Sequence, residues 1–294
     1  MSGRPTYLFG VGATKAGTTW LFRYLAGHPD CHLRSVKELH YFDSLAGGFD
    51  RQITVNSRKL ARVTARIAQA PAAKRERLRA EQRDLADWLA VLERRAEDLA
   101  AYRGYLEGGR QGQALVADIT PSYAELAPEG LRQMAAVSDN TRFVYLLRDP
   151  VSRFWSHVRM VASRMRAGQS DFAGTCDKVL RRVLAGEPSE ISKRSDYRGA
   201  LGRMQAALDP ARLLVMFQDH MMTAPGLARL CGFLGISAHP ADTSARVHEG
   251  APLAMTADQK ARIRAFLQPQ YDFVATAFPD MPESWRANLD GVTA

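Results

Sequence analysis

A lysine, three glycines and three threonines fall within ten residues near the start of the chain, in Gly10-Val11-Gly12-Ala13-Thr14-Lys15-Ala16-Gly17-Thr18-Thr19. Small residues let backbone N–H groups approach an oxyanion, while lysine and threonine add donors and a following helix adds its dipole. The segment therefore reads as an anion cradle. It departs from the nucleotide-triphosphate pattern, in which lysine follows the second glycine, because Lys15 precedes Gly17 by two residues. A second group lies in Arg148-Asp149-Pro150 and Ser156, where a guanidinium and a hydroxyl suit a phosphate. Alternatively, Arg148 pairs with Asp149 or caps a helix. A third lies in Lys37-Glu38-Leu39-His40-Tyr41-Phe42-Asp43, which offers a carboxylate and an imidazole for proton transfer. In isolation Glu38 reads as a loop carboxylate paired with Lys37.

These groups need rigid elements to hold them. Tyr7 to Val11 is a short apolar run, and Thr19 to Leu25 repeats apolar residues at helical spacing, so the cradle sits between a strand and a helix. Further strands are expected at Cys31 to Leu33, Ala114 to Ile119, Phe143 to Leu147 and Leu213 to Phe217. Arg148 then stands at the carboxyl end of a strand, where open α/β sheets bind ligands, and Pro150 starts a helix carrying Ser156. Strands alternating with helices predict an α/β fold with a central, mostly parallel sheet flanked by helices in three layers.

Between Gly48 and Gly104 there is no glycine and one proline, Pro71. Leu85, Trp88, Leu89, Leu92, Ala96, Leu99 and Tyr102 repeat at three- and four-residue spacing, which predicts one apolar helix face. A single domain over residues 1–294 with a helical insert at about 55–106 is expected.

Composition bounds the rest. Hydrophobic residues at 46% and charged residues at 24% exclude a disordered chain, and no apolar run approaches the roughly 20 residues of a spanning helix. The first residues lack the zones of a signal peptide, so a cytoplasmic protein is expected. Cys31, Cys176 and Cys231 are too few and too scattered for a zinc cluster or disulfide framework, and read as buried free thiols. A formal charge of +9 favours anionic partners. Basic residues interspersed with acids and no recognised motif argue against nucleic acid. His40, His157 and His220 have no metal-ligand spacing, so no metal is expected.

Taken together, Lys15-Ala16-Gly17-Thr18-Thr19, Arg148-Asp149-Pro150, Ser156 and the Lys37–Asp43 loop resemble the paired signatures of sulfotransferases that use 3′-phosphoadenosine 5′-phosphosulfate (PAPS). The branch most similar contains the heparan sulfate N- and 3-O-sulfotransferase domains and their bacterial relatives. The resemblance implies a P-loop-like fold and transfer of a sulfuryl group to an unidentified hydroxyl or amine, releasing 3′-phosphoadenosine 5′-phosphate (PAP). It implies that Lys15, Ala16, Gly17, Thr18, Thr19 and Trp20 bind the phosphosulfate end, and that Arg148 and Ser156 bind the 3′-phosphate. Tyr197 and Arg246 are placed at the nucleotide, and Lys15, Glu38 and His40 are catalytic, with Glu38 the base. Ile119 stands where the heparan branch carries a site lysine, which argues against a polyanionic sugar acceptor. The alternative is a P-loop kinase or other NTP-dependent phosphotransferase, with Asp118 as magnesium ligand. The arginine-rich face of the insert borders an acceptor or touches anionic membrane.

Overall fold

A computed structural model describes residues 3–165, 171–241 and 251–289. Its strands are β1 Thr6–Gly12, β2 Cys31–His32, β3 Leu115–Asp118, β4 Thr141–Leu147 and β5 Leu213–Phe217. They form one sheet in the order β2-β3-β1-β4-β5, and every pairing is parallel. All seven residues of β1 are buried, which suits a central strand covered on both faces. The apolar runs of the sequence thus mark the strands to within two residues. Each strand is short because a buried parallel strand ends where polar residues begin.

Helices α1 Thr18–Ala26 and α2 Tyr41–Ser44 follow the first two strands, and α3 Phe49–Gln69, α4 Ala72–Leu92 and α5 Leu99–Glu107 precede β3. A 3-10 turn, Pro121–Glu125, and α6 Pro128–Ala135 lead to β4. After it come α7 Pro150–Met165, α8 Phe172–Leu184, α9 Glu190–Lys193 and α10 Tyr197–Ala207. Beyond β5 lie α11 Gln218–Met221, α12 Ala224–Leu234, α13 Ala257–Ala277 and α14 Glu283–Leu289.

The helical insert is a hairpin of α3 and α4 turning at Ala70-Pro71, followed by α5. The apolar repeat read as one helix face is divided between two helices. The chain leaves α4 at Leu92, passes through a left-handed Arg95 with φ 53°, and restarts where the Asp98 side chain accepts from Ala101 N at 2.8 Å. An N-cap inside a periodic run ends one helix and begins another without disturbing the spacing. Trp88 and Tyr102 are wholly buried and share the core with Phe9 of β1, so the insert packs on the sheet instead of standing apart. Tyr102 stacks on Tyr41 with ring centres 4.6 Å apart, and Trp88 lies 4.8 Å from Tyr105. The three cysteines are free and buried.

Removing the Trp88 ring would leave a cavity at this junction. Trp88→Ala is expected to destabilise the protein by about 3–5 kcal/mol in urea unfolding. An unchanged transition would show that the junction does not carry the stability of the insert.

Candidate active site

In the sheet order, the chain moves to one side after β1 and to the other after β4, so a crevice opens beyond the carboxyl ends of these adjacent strands. The loop after β1 lies there. Gly12 packs against Tyr145 so closely that a Cβ would come within 2.6 Å of its ring, which fixes where the strand turns. Lys15 follows with φ 70°, and Gly17 is the N-cap of α1 with φ 95°. No side chain caps the first turn of α1, and the buried Thr14 Oγ1 has no hydrogen-bond partner. A helix start with open N–H donors, a lysine and an unpartnered hydroxyl is what an oxyanion requires.

The loop after β4 supplies the other half. Arg148 donates from Nη1 to the carbonyl of Lys15 at 3.0 Å, so the two cationic residues are linked through backbone. Asp149 does not pair with it: the carboxylate accepts from Ser152 N at 2.8 Å and from Tyr271 and Asn288, capping α7. Burial lowers the pKa of Arg148, with Tyr197 and Asp149 opposing. The Lys15 ammonium is likewise lowered by burial and by the charges of Arg148, Arg159 and Arg164, with Glu38 opposing. Ser156 is buried on α7, one turn before Arg159, whose buried Nε also lacks a partner.

Glu38 and His40 sit on the loop before α2, both in the left-handed region, with φ 62° and 56°. Lys37 Nζ donates to Glu38 Oε1, and His40 Nε2 lies 4.0 Å from Glu38 Oε2. On its far side His40 Nδ1 is 2.7 Å from Asp43 Oδ2, which also accepts from Ser122 Oγ at 2.8 Å. Burial opposes ionisation of Glu38. The Lys37 charge and hydrogen bond, with His40 and Lys59, outweigh it and hold the carboxyl below its ordinary pKa. The carboxyl group is therefore ionised at neutral pH.

Lys15, Arg148 and Glu38 are thus linked by contact or charge, and Ala16 and Gly17 lead from Lys15 into α1, whose first residues are Thr18 and Thr19. Trp20 is buried against Tyr24, with rings stacked 5.5 Å apart. Tyr197 is wholly buried, and its hydroxyl donates to Arg148 O at 2.6 Å, so it braces the arginine from behind. Arg246 lies outside the described residues. The segment just after it is tied to α7, where Arg159 donates to Ala251 O and Trp155 to Leu253 O. Sequence reasoning missed Arg153, which is fully buried and donates to Thr14 O at 3.3 Å and to Ser195 Oγ. It also missed Asp43 and Ser122 beside His40, and Arg159. Arg159 and Asp43 had a local signal, their three-residue spacing from Ser156 and from His40.

Asp118 accepts from Thr120 at 2.6 Å and from Tyr102 and Tyr123 at 2.8 Å each. A carboxylate so engaged is poorly placed to ligate magnesium, which removes the main support for a kinase. Among the described residues no cluster of His, Cys, Asp or Glu could hold a metal ion, and no helix is long and apolar enough to cross a membrane.

A profile described as the Sulfotransferase family matches residues 5–240. No curated protein matches. Among solved structures, a sulfotransferase from Alicyclobacillus acidocaldarius superposes with a TM-score of 0.62 and 20% identity, covering 97% of this chain and 99% of that one. The sulfotransferase domain of the Synechococcus PCC 7002 olefin synthase gives a TM-score of 0.48 and 18% identity, covering 90% and 94%. The first of these likenesses shows a common P-loop-like fold.

The lowered pKa of Lys15 means that its charge is present below that pKa and lost as pH rises through it. Labelling with an amine-reactive reagent, followed by mass spectrometry across pH, is expected to give Lys15 a midpoint below the ~10.4 of an unperturbed lysine. A midpoint at or above that value would contradict the crowding of cations around it.

Proposed function

The chain belongs to the sulfotransferase family, and on that premise we propose that it moves a sulfuryl group from PAPS to a hydroxyl or amine of an acceptor. The observation that carries this reading is the joining of Lys15 to Arg148 across the β1–β4 crevice, beside an uncapped helix start and a partnerless Thr14 hydroxyl. Donors of this kind fit a nucleotide with phosphates at two ends. Lys15 and the turn from Ala16 to Thr19 hold the 5′-phosphosulfate, and Arg148 with Ser156 holds the 3′-phosphate. The buried free thiols suit a reducing compartment such as the cytoplasm.

The transfer is an in-line displacement. The acceptor oxygen or nitrogen forms a bond to sulfur as the bond from sulfur to the phosphate oxygen breaks, and PAP leaves. Catalysis of such a step is mostly positioning and charge stabilisation. Lys15 stabilises the phosphate oxygen as it becomes anionic. Glu38, held ionised by Lys37, His40 and Lys59, takes the acceptor's proton as that proton turns acidic. His40, fixed by Asp43 and Ser122, orients the acceptor or Glu38.

One observation favours a second assignment. With Nδ1–H donated to Asp43, His40 would keep an unprotonated Nε2 facing Glu38, the arrangement of a general base braced by a carboxylate. The two assignments differ in what they lose on substitution.

The direct test is transfer from labelled PAPS to acceptors in a cell extract. With an acceptor in hand, Glu38→Gln should lower kcat about a hundredfold or more, within the usual range for general bases. His40→Asn should cost less, and PAP affinity should survive in both. A fully active Glu38→Gln with an inactive His40→Asn would transfer the role to the His40–Asp43 pair. Lys15→Ala should reduce kcat by more than it weakens PAP binding, since its charge matters most in the transition state. Normal turnover with only a raised KM would exclude the leaving-group role.

A further inference from the structure

A cleft of about 300 Å³ opens between the 35–37 segment, whose Lys37 is paired with Glu38, and the α3–α4 hairpin. Its polar lining is Ser35, Lys37, Lys59, Arg62, Arg66 and Glu81, so four cations face one carboxylate. Lys59, Arg62 and Arg66 stand at three- and four-residue steps on α3, which places them on one helix face. Like charges at this spacing repel and cost helix stability.

Glu81 in the lining and Glu38 beside it offset this repulsion only in part, and two further acids are engaged elsewhere. Asp84 and Asp87 of α4, the carboxylates closest in sequence to the cleft-lining Leu85, are both paired with Arg34, Asp84 at 2.8 Å from its Nε. Lys37 is engaged by Glu38. Among the described residues, no ion pair involves Lys59, Arg62 or Arg66. Lys59 is exposed on α3, and its pKa is lowered by partial desolvation and by Lys37, with Glu38 opposing, so the cluster and the carboxylate share one electrostatic environment. A concave site in which one sign of charge predominates four to one focuses its field on a ligand of the opposite sign. Its volume is that of a small-molecule pocket instead of a macromolecular face.

We infer that the acceptor is a small molecule carrying an oxyanion group, phosphate or carboxylate, which Lys59, Arg62 and Arg66 bind while its nucleophile rests at Glu38. The inference rests on the sulfotransferase reading for the role of the ligand, and on the cleft alone for its charge. The lysine missing at Ile119 does not oppose it. Ile119 is buried against Gly10, and the positive charge here comes from the insert.

The test uses the full chain saturated with PAP, so that the nucleotide site is filled, and titrates it with inorganic pyrophosphate by calorimetry at fixed ionic strength. Saturable binding is expected, weakened at least tenfold in R62E/R66E and in the milder R62Q/R66Q, with PAP affinity unchanged. Both positions are exposed, and a thermal melt verifies folding. Equal pyrophosphate binding by wild type and variants, or no saturable binding, would overturn the inference. Failure to bind PAP, with pyrophosphate still held through Arg62 and Arg66, would instead sink the sulfotransferase reading and leave the anion site standing. In turnover, a small-molecule extract is split on an anion exchanger and supplied with labelled PAPS. Label should enter the retained fraction and be lost in R62E/R66E; label entering only neutral compounds, equally with the variant, would overturn the inference.

Discussion

One buried carboxylate ties the working parts of this protein together. Asp118, at the end of β3, accepts hydrogen bonds from Thr120, from Tyr102 of the insert and from Tyr123 of the following 3-10 turn. Tyr123 in turn accepts from Tyr41 N at 2.9 Å, at the start of α2. Burial pushes the Asp118 pKa up while the three hydroxyls pull it down. A carboxyl group removed from water is tolerated only when its oxygens are so satisfied. Sheet, insert and the Glu38–His40 loop therefore meet at one polar centre.

The cations and acids around the crevice follow an order that this framework imposes. Arg148 and Lys15 belong to the β1–β4 crevice, Lys37 and Lys59 line the cleft against the insert, and Glu38 interacts electrostatically with Lys15, Lys37 and Lys59. Cations crowded together lower one another's pKa and are relieved by an anion. The same crowding keeps the half-exposed Glu38 ionised against the partial desolvation that opposes it.

Much of this was legible in the sequence. Short apolar runs ending in glycine or a polar turn identify parallel strands, because a strand covered on both faces has no polar side to present. The Lys15 loop, Arg148 and Glu38 could be read because each lies beside a strand end or in a compact motif. Of the partners of His40, Asp43 lies three residues away in the same motif, but Ser122 could not be read: it is 79 residues from Asp43, and only the fold brings them within 2.8 Å. Arg153 was hidden because an arginine in an amphipathic helix pattern normally faces water. The division of the insert between α4 and α5 was obscured because the N-cap Asp98 preserves the apolar spacing on either side of it.

The identity of the β1–β4 crevice as a site for a nucleotide phosphorylated at the 3′ position is tested most directly by calorimetry with PAP, ADP and ATP. Arg148 offers charge-assisted bonds that only a 3′-phosphate would use. PAP should bind at least about tenfold more tightly than ADP, a difference of roughly 1.4 kcal/mol, and Arg148→Ala should abolish that preference. Equal affinity for PAP and ADP, or ATP binding that vanishes when magnesium is chelated, would contradict the assignment.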